Sequence, residues 1–211
     1  MKHENTKSLF EYWNKLRGDR LLPNRDEIQP SGLRNVLGDT FILQDEPRFE
    51  ASFRLCGSNV NQIFCRELKG QRFLSLFPQE GRVPMQTLWR AVAEDRAAVL
   101  FGSVGTTASG KELHLETLLL PLGVSPTQGY RVLGTTSSFE HPYWLGVEAV
   151  KHQTIASVRI VMPDDLTRLG EETPGLASPE APVAALRLAG KSARRYGHLV
   201  VVDGGNQSHP Q

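Results

Sequence analysis

Between Ala97 and Ser137 the chain carries three apolar runs, Ala97 to Gly105, Glu112 to Pro121 and Tyr130 to Ser137, separated by Ala108-Ser109-Gly110 and by the stretch from Gly123 to Gly129. Runs of this length bounded by turn-forming residues read as consecutive strands. Two more strand signals lie upstream, Thr40-Phe41-Ile42-Leu43 and Ser52-Phe53-Arg54-Leu55-Cys56, with Glu46-Pro47-Arg48 as the turn between them. The interval after the second strand is helical in period. Val60, Ile63 and Phe64 give a short helix within Ser58 to Arg66, Phe73 to Phe77 ends a second short turn or helix at Pro78, and residues 82–94 form the longest, with Val83, Leu88, Ala91 and Val92 on one side. The order of elements is therefore two strands, short helices, one longer helix and three strands, an α+β arrangement.

Two helices are expected ahead of the first strand. Leu9, Phe10, Trp13 and Leu16 recur at helical spacing within residues 8–17, Ser8 with Glu11 has the form of a capping box, and Gly18 follows. A second helix is expected from Pro30 to Leu37, with Gly38 past its end. At the other end, Glu171 to Pro182 is rich in Pro, Glu, Ser and Ala and reads as a flexible linker. Val183 to Tyr196 reads as a helix carrying Arg187, Lys191, Arg194 and Arg195, and His198 to Val202 as a terminal strand before Gly204-Gly205. These signals divide the chain into a helical extension (1–38), a core (39–138), a post-core segment (139–170), the linker (171–182) and a basic helix with a terminal strand (183–211).

Composition excludes several classes. The 211 residues suit one core with extensions. With 24 basic and 23 acidic residues, the net charge of +1 supplies no global field for DNA or anionic lipid. No apolar run approaches the roughly 18 residues of a membrane span, and the opening MKHENTKSLF is polar, which points to the cytosol. Cys56 and Cys65 are too few for a disulfide framework or a four-thiolate zinc site.

Several strings point to one family. Tyr12-Trp13-x-x-Leu16-Arg17-Gly18, Pro23-x-Arg25-x-x-Ile28-x-Pro30, Phe53-Arg54-Leu55-x-Gly57, Arg66-Glu67-Leu68-x-Gly70 and the closing Gly197-His198-Leu199 with Asp203-Gly204-Gly205 resemble small bacterial proteins built on one degenerate PAS domain. The resemblance covers essentially the whole chain. It implies a PAS-like five-stranded antiparallel sheet with a helical cradle, and signalling rather than catalysis: a cytoplasmic, non-enzymatic sensor or adaptor in regulators of motility and cell cycle. The partners implied are signalling proteins, with a homodimer through the N-terminal helix and a small-molecule or nucleotide ligand as further readings.

Within that frame, Phe53, Phe64, Phe73, Leu88, Trp89, Val104 and Leu118 would line the PAS cavity, as a ligand site or as plain core. Arg54 and Glu67 are expected to form a structural ion pair, with an anion site around Arg54 as the alternative. Leu9, Phe10, Trp13 and Leu16 either pack on the domain's own sheet or form an interface. Arg187, Lys191, Arg194 and Arg195 form a local basic patch, a solvated face or a surface for an anionic partner.

Cofactor-bearing sensing with flavin or haem is the alternative function. Cys65-Arg66-Glu67-Leu68-Lys69-Gly70 partly resembles the Asn-Cys-Arg-Phe-Leu-Gln-Gly of flavin-binding photoreceptor PAS domains, but Phe64, Glu67 and Lys69 replace its Asn, Phe and Gln, so Cys65 is expected to be a buried, inert thiol. Haem needs an axial ligand, and alternation turns His114 away from Leu113 and Leu115. His3, His141, His152, His198 and His209 are too scattered for a metal site. No phosphate-cradling glycine loop, nucleophile elbow or paired carboxylates occur, so no cofactor, metal or catalytic residue is expected.

Overall fold

The computed structural model describes residues 1–46, 50–123 and 129–161, and the backbone of 193–196 and 199–202. Helix α1 (Glu4–Arg17) opens the chain, and three short 3-10 turns lead to strands β1 (Thr40–Glu46) and β2 (Glu50–Cys56). Helix α2 (Ser58–Ile63), a 3-10 turn at Phe73–Leu76 and helix α3 (Gln79–Ala93) precede β3 (Ala98–Thr107), β4 (Glu112–Pro121) and β5 (Arg131–Ser138). Then follow β6 (Val150–Val161), β7 (Ala193–Tyr196) and β8 (Leu199–Val202). All the paired strands are antiparallel, in the order β2-β1-β5-β4-β3-β6-β8-β7. The α+β class read from the sequence is the one observed.

The sheet does not stop at five strands. The post-core segment contributes the 12-residue β6, which pairs along nearly the whole of β3. Its sequence alternates poorly because most of its side chains are exposed or half-buried, which removes the period-2 signal a strand is recognised by. The helix expected up to Tyr196 is also corrected at its end, since 193–196 pair with β8 as a strand; the remainder of that expected helix, and the expected linker, lie outside the described residues.

The two sheet faces are covered by different parts of the chain. On the inner face, α2, the 73–76 turn and α3 pack Phe41, Phe53, Phe73, Phe77, Trp89 and Phe101 into one core. On the outer face, Leu9, Phe10 and Trp13 of α1 pack on Ile42, Leu100, Leu118, Leu120 and Leu133. Alternation along β1, β4 and β5 is what sends neighbouring residues to the two cores. In α3 the buried side is Met85, Leu88, Trp89, Val92 and Ala93, while Val83, expected on that side, is 69% exposed. The helix starts three residues earlier than the periodicity suggested, and its inward stripe begins only at Met85.

Helix α1 also starts early. Its N-cap is His3, whose Nδ1 accepts the Asn5 N–H at 3.1 Å, not Ser8. The buried Glu116 carboxylate on β4 accepts the backbone N–H groups of Lys2 and His3, each at 2.9 Å, so a strand over 100 residues away sets where the helix begins. The helix expected over Pro30–Leu37 is instead 3-10 turns at Pro30–Leu33 and Leu37–Asp39. The Tyr12 hydroxyl accepts the Gln29 N–H at 2.9 Å, and its ring lies where a Cβ on Gly32 would stand 2.2 Å from it, so this segment is pressed against α1 and only glycine fits.

Candidate functional site

The cradle between the helices and the inner sheet face is where a PAS-type ligand would sit, and here it holds a chain of rings. Centroid separations are 5.4 Å for Phe41–Phe53, 5.7 Å for Phe53–Phe73, 5.5 Å for Phe73–Phe77 and 6.2 Å for Phe77–Phe101, mostly edge-to-face or tilted. Gly134 on β5 makes room for this stack, because a Cβ there would stand 2.3 Å from the Phe41 ring. Phe53, Phe64, Phe73, Leu88 and Trp89 come together in this cluster. Val104 and Leu118 do not. Both point to the outer face, Leu118 under α1 and Val104 half-buried, because they are out of phase with the inward Phe101, Leu115 and Leu119. The Nε1 of buried Trp89 has no hydrogen-bond partner among the described residues.

The stripe on α1 is an internal contact. Leu9, Phe10 and Trp13 are buried, Leu16 is half-buried, and Trp13 Nε1 donates to the Pro121 carbonyl at 2.9 Å. Polar ties flank it: Asn5 Nδ2 donates to Asp39 Oδ2, which also accepts the Ser137 hydroxyl at 3.2 Å. An interface through these four side chains would require α1 to leave its own sheet.

The expected Arg54–Glu67 ion pair is not formed. Arg54 is exposed on β2, an edge strand rather than a central one, and Glu67 is exposed beyond α2. A β-bulge between Ile42 and Leu43 turns Arg54 outward, so no buried charge calls for a carboxylate. Its charged neighbourhood is basic instead: burial first, then the charges of Arg25 and Arg54, press the pKa of Arg131 below the usual arginine value, with Asp26 opposing. The Nε atoms of Arg25 and Arg131 are sealed from solvent with no partner among the described residues, and leaving a buried donor unpaired costs about 1–3 kcal/mol. Beside Arg131, a cavity of about 10 Å³, room for about one water, lies between Leu22, Val92, Leu122 and Tyr130.

The cysteines divide differently from expectation. Cys65 is exposed at the end of α2 in a left-handed conformation (φ 47°), its Sγ 3.5 Å from the Gln62 carbonyl, and so faces away from the cradle. Cys56 packs against the inner core, and burial pushes its thiol up to about 12. His114 is exposed, as its alternation indicated, with Nδ1 3.2 Å from Glu140. Among the described residues no cluster of three His, Cys, Asp or Glu could hold a metal ion. Arg187 and Lys191 of the basic patch lie outside the described residues; Arg194 and Arg195 fall on β7.

One arrangement was not anticipated. The segment between β5 and β6 is clamped to the β3–β4 turn by Lys111 Nζ, 2.8 Å from Glu148 Oε2, while Glu148 Oε1 accepts the Ser109 N–H at 3.1 Å. Lys111, followed by the Ser109 and Thr107 side chains, holds the Glu148 carboxyl down at about 2. Lys111 also lies 5.4 Å from the Tyr143 ring centroid and 5.9 Å from that of Trp144, which is buried in the inner core. Tyr143 and Val147 are left 88% and 82% exposed on this anchored segment. The sequence signal was the Tyr143-Trp144 pair, but nothing local linked it to Lys111.

With a strand pair, a helical cradle and a strand triplet in that order, comparison with known families becomes specific: the PAS domain family matches residues 1–137. The chain belongs to the PAS domain family. The match begins at residue 1, so α1 lies inside it, while the Lys111 clamp's partner Glu148 and strand β6 lie beyond it. No curated protein matches the chain. PAS domains are in general signal-sensing or adaptor modules that often mediate protein contacts, and that general role applies here. No helix among the described residues is long and apolar enough to cross a membrane.

Proposed function

We propose that the protein is a non-catalytic, cytoplasmic PAS adaptor in bacterial signal transduction, of the kind that regulates motility and the cell cycle, and that it acts by protein–protein contact. The observation carrying this reading is the pair formed by a cradle filled with its own phenylalanine rings and a rigidly fastened segment that holds Tyr143 and Val147 in solvent. Exposed aromatic and aliphatic side chains on an immobilised backbone lose little conformational freedom when a partner covers them, which favours binding. In this reading the inner residues Phe53, Phe64, Phe73, Leu88 and Trp89 act as core, without flavin or haem, and the domain boundary falls after the clamp, because Glu148 ties the segment following β5 to the turn before β4.

The test is a pull-down with the intact protein and with the Tyr143→Ser/Val147→Ser double variant, combined with size-exclusion chromatography and light scattering. Capture of a signalling regulator by the first and its loss in the second is the expected result. A monomer that captures no regulator, or one whose visible spectrum shows a flavin or haem band, overturns the proposal.

A further inference from the structure

Arg25, Arg54 and Arg131 come from three separate parts of the chain. Arg131 opens β5 opposite Gln44 of β1, and Gln44 in turn stands opposite Ser52 of β2, two residues before Arg54. The Arg131 carbonyl accepts the Leu122 N–H at 3.0 Å, and the next residue, Gly123, donates its N–H to Pro23 at 2.8 Å. The Asn24–Gly123 bridge then sets the 3-10 turn that begins at Arg25 beside the start of β5. Arg131 shares the outward phase of Leu133, and Gln44 that of Ile42, so the basic residues gather on the outer face beyond the end of α1's apolar contact.

Among the described residues this group is only partly neutralised. Among the described residues none of the three guanidiniums makes an ion pair or a side-chain hydrogen bond, and the Nε atoms of Arg25 and Arg131 are shielded from water without a partner. The nearby acids are engaged elsewhere: Glu27 pairs with Arg20 at 2.9 Å and Glu50 with Arg72 at 3.0 Å. Asp26 is the acidic residue acting on Arg131. Three guanidiniums facing one carboxylate leave two positive charges, the complement of a phosphate monoester dianion, and planar guanidinium forks match phosphate oxygens in geometry.

We infer that Arg25, Arg54 and Arg131 form a binding site for a phosphate dianion, free or carried as a monoester. This site is distinct from the contact surface at Tyr143 and Val147, and its failure would leave that surface untouched. Binding of the anion relieves the repulsion among the three charges, so the ligand stabilises this corner of the sheet.

Calorimetric titration of the intact protein at low salt with adenosine monophosphate, inorganic phosphate and unphosphorylated adenosine tests it. Saturable binding is expected for the monophosphate and for phosphate and none for adenosine, weakening as salt is raised. Arg54→Gln, at an exposed position, and Arg131→Gln each weaken monophosphate binding about tenfold or more, whereas Arg66→Gln, away from the site, leaves it unchanged. The ligand-free melting temperature of Arg131→Gln is expected to equal or exceed that of the parent, because a like charge is removed. Absence of saturable binding by both the monophosphate and phosphate, equal binding by the Arg54→Gln variant, or a lower ligand-free melting temperature for Arg131→Gln overturns the inference; the tighter binder of the two names the source of the anion.

Discussion

The inner and outer faces of this sheet are both dry, yet they are closed by opposite means. The inner face is covered by helices inserted between β2 and β3, and its core is a ring-against-ring stack of side chains. The outer face is covered by α1, from the far end of the sequence, and is held by an apolar stripe together with hydrogen bonds that only the folded chain can make: Trp13 to Pro121, Lys2 and His3 to Glu116, Asn5 to Asp39. Over β1, β3, β4 and β5 this leaves little free sheet surface, whereas the 139–149 segment, the arginine corner and much of β6 stay open to solvent.

The sharpest way to break this comparison is truncation on each face in turn. Phe73→Ala is expected to lower stability by about 3–5 kcal/mol, since it removes a ring in contact with Phe41, Phe53 and Phe77, and denaturant unfolding measures it. Trp13→Ala should cost a similar amount in the same transition. A biphasic curve, with α1 melting apart from the sheet, would show the outer layer to be an appendage.

A subtler pair of substitutions separates packing from polar satisfaction. Trp13→Phe leaves the buried Pro121 carbonyl without its donor and is expected to cost about 1–3 kcal/mol beyond the lost volume. Trp89→Phe removes an Nε1 that has no partner among the described residues, so its cost should be that of the lost volume alone and smaller than that of Trp13→Phe. Equal losses in the two variants would mean that hydrogen bonding does not distinguish the faces.

Thiol labelling compares core and surface in one chain. Alkylation near neutral pH should modify exposed Cys65 and leave Cys56 unmodified, because burial pushes the Cys56 thiol up to about 12 and keeps it protonated. Mass spectrometry of the peptides reads the result. Comparable modification of both would show that the β2 edge opens readily.

The smallest effect is expected at the clamp. Glu148 is held at about 2 by Lys111, below its unfolded value of 4.5, so the stabilisation it contributes is present above pH 4.5 and is lost as pH falls toward 2. Urea midpoints measured across that window should fall less in Glu148→Gln than in the parent protein. Identical pH profiles would mean that the half-buried pair does not hold the segment.

Most strands were legible because their signals are local. Turn residues at Ala108-Ser109-Gly110 and alternating apolar runs mark β3, β4 and β5 to within a residue or two. Strand β6 was not, because its alternation is broken by exposed positions on both faces. Of the candidate site, Phe53, Phe64, Phe73, Leu88 and Trp89 share one buried cluster, since the order of elements puts a cradle over the sheet. Val104 and Leu118 were assigned to the wrong face, and a shift of one residue in phase is enough to move a side chain to the opposite core. Arg54 was misjudged because a bulge and an edge position, neither visible in the chain's local pattern, turn it to solvent and toward other arginines.

By itself the sequence determined the α+β class, the order of its first five strands and the family strings, all consequences of local periodicity, turn chemistry and residue identity. Tertiary structure decided which face each residue meets, that the N-terminal stripe is consumed by the domain's own sheet, and that Lys111 finds Glu148. Those pairings depend on register and strand order, which bring together residues tens of positions apart that no short window of sequence can relate.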